Sequence, residues 1–259
     1  MRKISFSEIL ESGISSGQVS QYLYKYRTID SLKKILENDS LWFSSPQDFN
    51  DPFDCQIVPD TNNTEEEIIE FLKSNAPEGT SEESISSLAL KIFNNPEIWK
   101  KTIEGVFRDV INATGVCCFT ANETNLLMWS HYTDSHKGVC LKFDITKDPE
   151  YFAYPLEVKY TTDYPAYNHL TNLGEIVNLV ALSKSIAWEY EAEIRVLRPE
   201  QNGLIPFNKN ALVEIIFGCN SSENSIKEIT ELVNKNLYQV KFKKAKRKQR
   251  EFGLTITDL

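Results

Sequence analysis

Trp188-Glu-Tyr-Glu-Ala-Glu-Ile-Arg-Val196 is the stretch on which the fold turns. At strand period, Trp188, Tyr190, Ala192, Ile194 and Val196 point one way, and Glu189, Glu191, Glu193 and Arg195 point the other. The first set is an ordinary core face. The second lines up three carboxylates, which repel one another unless something cationic or polar lies against them. An edge strand with a solvated acidic face is the plain structural reading. A site that holds or polarises a hydroxylated or cationic substrate is the functional one.

Working outward, 259 residues suffice for one large α+β domain, and 14 Phe, 11 Tyr and 4 Trp supply a core. No apolar run approaches the roughly 18 residues of a membrane helix. The opening Met-Arg-Lys-Ile-Ser-Phe-Ser-Glu lacks an apolar signal region, which points to the cytoplasm. The five cysteines are odd in number, and Cys55, Cys117, Cys118, Cys140 and Cys219 form no CxxC pair. With three histidines, that argues against a zinc site and for buried free thiols. The net charge of −9 is uneven. Residues 241–259 hold seven cations (Lys241, Lys243, Lys244, Lys246, Arg247, Lys248 and Arg250) against Glu251 and Asp258, a net +5, leaving −14 elsewhere. A basic strand segment on an acidic body is either a solvated hairpin or a contact for nucleic-acid phosphate.

Residues 1–20 read as a weak leader that Gly13 and Gly17 keep from forming a helix. Residues 22–27 alternate aromatics as a strand. Asp30 is placed to cap a helix over 31–38 with Leu32, Ile35 and Leu36 inward. A strand over 41–45 stops at Pro46, and residues 47–54 are turn chemistry anchored by Phe49 and Phe53. The pattern is helical across an insertion at 61–112. Thr64 and Glu67 form a capping box, Ile85, Leu88, Ala89, Ile92 and Phe93 follow at helical spacing, and Asn95-Pro96 starts a third helix. That helix turns Trp99, Ile103, Val106, Phe107 and Val110 inward. Strands return at 115–120, 139–143, 156–160 and 212–218, with a short helical segment at 126–132. A helix at 176–186 leads straight into the acidic strand, and a helix at 225–236 precedes closing strands at 238–243 and 252–256. The whole reads as a single α+β domain with mixed, mainly antiparallel sheets.

Four blocks give the chain a resemblance to a bacterial family of unassigned role, domain-of-unknown-function family 2971. They are Leu23-Tyr-Lys-Tyr-Arg27, Phe49-Asn-Asp-Pro-Phe53, Met128-Trp-Ser-His-Tyr132 with His136-Lys-Gly-Val139, and Trp188 to Arg195. More distantly, the strand–helix–strand of 22–45 ending in Ser-Ser resembles the opening of the ADP-ribosyltransferase fold. That resemblance implies NAD as substrate, with an Arg or His on the first strand holding it. Arg27 or Tyr24 would fill that role here, where no His is present. Ser44 and Ser45 would support the nicotinamide pocket, and Glu193 would be the catalytic carboxylate with Glu191 two residues before it. Aromatic faces such as Tyr24, Trp129 or Tyr132 would stack on nicotinamide or adenine.

Each candidate also has a plainer role. Arg195 neutralises the acids. Asn50 and Asp51 either form an Asn-Asp-Pro turn or deliver polar groups to a cleft. His131 and His136 are loop or core histidines, or ligands of the site. Three functions follow from the sequence. The first is an ADP-ribosyltransferase-like enzyme acting on nucleic acid or protein, in the setting of a toxin with an antitoxin partner or of phage defence. The second is a metal-dependent nuclease or phosphoesterase using Asp51, Asp54, Glu191 and Glu193. The third is a non-enzymatic module whose acidic face binds a basic protein.

Overall fold

The computed structural model describes residues 5–172 and 174–259. Its first element departs from expectation: α1 (Phe6–Ser15) forms across Gly13, because Ser5 and Glu8 each accept from the other's backbone N–H. Then come β1 (Tyr22–Arg27), α2 (Ile29–Asn38) and β2 (Ser40–Phe43). Thr28, not Asp30, caps α2, and Leu32, Ile35 and Leu36 are buried as their spacing predicts. The second strand ends before the two serines, since Pro46 opens a 3-10 turn over Pro46–Asp48. Phe53 does not anchor the loop after it; it is exposed.

A short β3 (Val58–Pro59) leads into α3 (Glu65–Asn75), α4 (Glu82–Phe93) and α5 (Pro96–Ala113). The Thr64–Glu67 capping box is present. Asn95 makes no side-chain cap; its amide bonds the Lys91 carbonyl instead. The buried stripe of α5 is narrower than the expected one. Ile103 and Ile111 are buried while Val106 and Val110 are exposed, as are Leu88 and Phe93 of α4.

The remaining elements are β4 (Gly115–Thr120), α6 (Leu126–Tyr132), β5 (Val139–Asp144), β6 (Leu156–Glu157), β7 (Lys159–Thr161) and β8 (Ala166–Tyr167). After them come α7 (Ile176–Ala181), β9 (Ser183–Ser185), β10 (Glu193–Arg198), β11 (Gly203–Pro206) and β12 (Leu212–Phe217). The chain closes with α8 (Glu223–Lys235), β13 (Lys241–Arg247) and β14 (Leu254–Asp258). The expected helix at 176–186 is therefore cut short at Ala181, and the strand expected at 156–160 divides between two partners.

Among the described residues, eight strands form one sheet in the order β14-β13-β12-β5-β1-β4-β10-β6. Every adjacent pair in it is antiparallel except β12 with β13, so the chain is α+β with a mixed, mostly antiparallel sheet. One face of the sheet (Leu23, Phe119, Leu141, Phe143, Ile194, Val196, Ile215, Phe217) shares a core with Leu32 and Leu36 of α2 and Ile229 and Val233 of α8. The other (Tyr24, Tyr26, Cys140, Ile216, Ala245) packs on Trp129 of α6. No helix among the described residues is long and apolar enough to cross a membrane.

The sheet has one weak seam. β1 meets β5 at six residues but meets β4 at a single one, Tyr24 opposite Thr120. Beyond that point β4 is held at its other end by Ser44, which exchanges two backbone hydrogen bonds with Val116. Between these two ties β1 and β4 part, leaving a fork in the sheet.

Gly218 fixes α6 and its following loop over this face. A Cβ there would lie 2.1 Å from the His136 carbonyl oxygen and 3.1 Å from the Trp129 ring. Gly218→Ala should lower stability by about 1–3 kcal/mol through overpacking, read as a lower urea midpoint with unchanged slope.

Candidate functional site

The deciding stretch is not one strand. Residues Ile186–Glu191 form a 3-10 turn capped by Ser185, Ala192 adopts a left-handed conformation (φ 43), and only from Glu193 does the chain extend into β10. The alternation expected for Trp188, Tyr190 and Ala192 is thereby broken. Glu189 is exposed, while Glu191 and Glu193 are both buried. The turn and the left-handed residue swing their carboxylates together by another route than strand alternation.

Two cations hold the pair. Lys184 on β9 places its Nζ 2.5 Å from Glu191 Oε2, 2.8 Å from Glu193 Oε2 and 3.8 Å from Asp54 Oδ2. Arg195, fully buried, donates from Nε to Glu193 at 2.8 Å, from Nη2 and Nη1 to Asp54 at 2.6 and 3.1 Å, and from Nη1 to the Ala181 carbonyl at 2.8 Å. The Tyr132 hydroxyl donates to Glu191 Oε1 at 2.5 Å. Burial alone would raise the Glu193 pKa, but Arg195 and then Lys184 overcome it and hold the carboxyl at about 2. Burial works to lower the Lys184 pKa; Glu193 and Glu191 outweigh it and raise it. Burial first, then the bond to Glu191, raises the Tyr132 phenol, which stays protonated as a donor.

This network forms one wall of a half-open cavity of about 250 Å³. The fork supplies the rest: Tyr24, Lys25, Tyr26 and Arg27 from β1, and Val116, Cys118 and Phe119 from β4. Trp42, Ser44, Asp48, Phe49 and Asn50 complete its rim, with Met128 and Tyr132 from α6. Lys25 bridges the fork, its buried ammonium donating to the Cys118 carbonyl at 2.6 Å and lying 4.8 Å over the Phe119 ring. Arg27 donates to its neighbour's carbonyl at 3.0 Å. Among the described residues neither has an acidic partner, and burial lowers the pKa of both.

Of the residues singled out from sequence, Glu191, Glu193, Tyr24, Arg27, Ser44, Asn50, Asp54 and Tyr132 line this one cavity. The others lie apart. Ser45 is buried and donates to the Asn112 carbonyl. Asp51 accepts from the Phe53 N–H as part of its turn. Trp129 is fully buried, edge-on to Tyr26, with Nε1 donating to the Glu123 carbonyl, and so offers no stacking face. His131 is exposed beside the Tyr190 hydroxyl at 3.2 Å, and His136 stacks on Trp129. Lys184 and Lys25 were not anticipated, nor was Asp54 as the partner of Arg195. The only sequence signal for Lys25 is a cation in an otherwise aromatic and aliphatic strand.

Residues 128–196 match the model of a family described as a protein of unknown function, DUF2971. The matched segment contains Tyr132, Lys184, Glu191, Glu193 and Arg195, whereas β1 and Asp54 lie outside it. No curated protein and no solved structure matches the chain.

Arg195→Met should strand two buried carboxylates and cost about 3–5 kcal/mol, seen as loss of the urea transition or a large fall in its midpoint. The acid limb follows from Glu193. Its folded pKa lies below its ordinary 4.5, so its contribution is full above pH 4.5 and is lost as pH falls towards about 2. Glu193→Gln should flatten the decline in stability across that window.

Proposed function

We propose that this chain is an ADP-ribosyltransferase-like enzyme that breaks NAD between nicotinamide and ribose and passes the ADP-ribosyl group to a macromolecule. The observation behind it is a single cavity lined both by a held carboxylate pair and by two cations that have no acidic partner among the described residues. NAD presents a matching set of groups: a cationic nicotinamide ring, ribose hydroxyls, and a doubly charged pyrophosphate. At about 250 Å³ the cavity suits the nicotinamide–ribose half, leaving the adenylate to extend over the mouth beside Trp42 and Asn50.

The chemistry needs little from the protein beyond placement and charge. The C1′–N bond breaks heterolytically, its electron pair leaves with the nicotinamide nitrogen, and positive charge develops on the ribose. Glu193, ionised and immobilised by Lys184 and Arg195, stabilises that charge and can accept from a ribose hydroxyl. Arg27 and Lys25 meet the pyrophosphate, Arg27 with a planar fork suited to it. Tyr24 borders the nicotinamide end and Ser44 offers a hydroxyl there. The nucleophile of the target then attacks C1′ and gives its proton to Glu191.

The other two sequence-derived readings gain nothing from the geometry. Lys184 Nζ occupies the space among Asp54, Glu191 and Glu193 that a bridging divalent ion would need. Asp51, required by the nuclease reading, is engaged in its turn. Glu191 and Glu193 are buried and paired, so they present no acidic face to a basic partner.

Purified protein should release nicotinamide from NAD, followed by liquid chromatography, and should melt higher with NAD than with Mg²⁺ alone. Glu193→Gln should lower turnover by about 10²–10³-fold or more. Arg27→Gln, which touches the pyrophosphate and not the breaking bond, should mainly raise KM. A folded Glu193→Gln variant of undiminished activity would dismiss the transferase.

A further inference from the structure

The carboxyl-terminal hairpin bears charge and an aromatic that the site above does not use. β13 and β14 pair antiparallel, and the six-residue tip between them is closed by the Lys248 N–H donating to the Gly253 carbonyl at 3.0 Å. Lys243, Lys244 and Lys248 have acidic partners in Glu214, Glu223 and Glu251. Among the described residues Lys241, Lys246, Arg247 and Arg250 have none. Phe252 at the tip is fully exposed. An aromatic ring left wholly in water beside uncompensated cations contributes nothing to the core.

Beneath the tip lies a second cavity of about 560 Å³, bordered by Arg247, Gln249, Arg250, His136 and Asn220. Nδ1 of His136 is buried there without a hydrogen-bond partner, the ring being held flat on Trp129. The two cavities lie on either side of α6, whose Met128 and Tyr132 line the first and whose Leu126 lines the second. A seven-residue helix is only about 10 Å long, so the two are near neighbours.

We propose that this hairpin and the cavity beneath it form a docking site for single-stranded nucleic acid. Arg247 and Arg250 contact backbone phosphates, Phe252 stacks on a base, and the cavity receives the next base against Gln249, Asn220 and His136. Charge favours this occupant: the tip is a cationic island on a body of net charge −14, so a polyanion is attracted here and repelled elsewhere. The lining sets the hydrogen-bonding groups of Gln249, Asn220 and His136 among apolar Leu126, Cys219 and Leu254, a mixture that suits the polar edge and flat face of a base. Catalysis is not needed for binding at this site.

The test uses fluorescence polarisation with labelled mixed-sequence 12-mers of single-stranded DNA and RNA, over a salt series, with the full chain. Wild-type protein should bind at least one of them. Phe252→Ala should weaken binding by about 5–150-fold. Arg247→Ala combined with Arg250→Ala should reduce the slope of log affinity against log salt by about 1.4, the loss of two phosphate contacts. All three residues are exposed, so circular dichroism and melting should be unchanged, and Glu193→Gln should bind like wild type. Absence of binding to both oligonucleotides overturns the proposal, as does binding indifferent to these substitutions. Phe252-dependent binding to vesicles of 70:30 phosphatidylcholine and phosphatidylserine, without oligonucleotide binding, overturns it in favour of a membrane contact.

Discussion

A single guanidinium holds the site together. Arg195 has no exposed surface, and its donors reach Asp54 from the loop after the 3-10 turn, Glu193 on its own strand, and the carbonyl that ends α7. Removing such a charge from water costs several kcal/mol, so the pairing is better understood as setting geometry than as adding stability. Phe49 lies over the same guanidinium, 5.4 Å from ring centre to Cζ, which fixes the loop that brings Asn50 to the cavity rim. Elements distant in sequence thus share one charge-matched centre.

The cavity exists because the sheet is imperfect there. Had β1 and β4 paired along their length, the ladder would have closed over the space now lined by Lys25, Arg27 and Cys118. The fork leaves backbone groups of β4 without a neighbouring strand, and the Lys25 ammonium reaches across to one of them. Among the described residues this buried lysine has only uncharged partners and no counter-ion. The acidic wall is different. Each carboxylate there is already bonded and so held in place before any ligand arrives, and Glu193 is kept ionised by Arg195 and Lys184, the arrangement electrostatic stabilisation requires.

The sequence made some of this readable and misled on the rest. β1, the body of α2 and the strands expected at 115–120 and 139–143 follow from local period, and the structure agrees, although Thr28 and not Asp30 caps α2. Glu191 and Glu193 were grouped by strand alternation; they meet because Ala192 turns left-handed after a 3-10 segment, which alternation cannot express. Nothing local in the sequence marks Lys184, because its place depends on the parallel pairing of β7 with β9, a contact between distant segments. Trp129 looked like a stacking platform beside Tyr132. Three residues apart on α6, they differ by only about 60° around the helix axis, yet Trp129 packs edge-on against Tyr26 while the Tyr132 hydroxyl reaches Glu191. The width of the α5 stripe shows the same limit: five apolar residues satisfy a helical spacing, but Val106 and Val110 are exposed and the packed stripe runs through Ile103, Phe107 and Ile111.

The short helix α6 joins these threads. Its first N–H groups are capped by Asn125, whose own amide is bonded to the Tyr190 carbonyl in the turn that presents Glu191. At its other end Tyr132 bonds Glu191 directly, so the helix is fastened at both ends to the segment bearing the acid. Behind it, Gly218 admits the His136 carbonyl so closely that no side chain would fit between. A seven-residue helix has little stability of its own. Its position is imposed from outside, by the acidic turn on one side and the β12 glycine on the other. Displacing it would break the Tyr132–Glu191 bond and uncover Trp129 together, and this holds the wall of the first cavity and the flank of the second in a single arrangement.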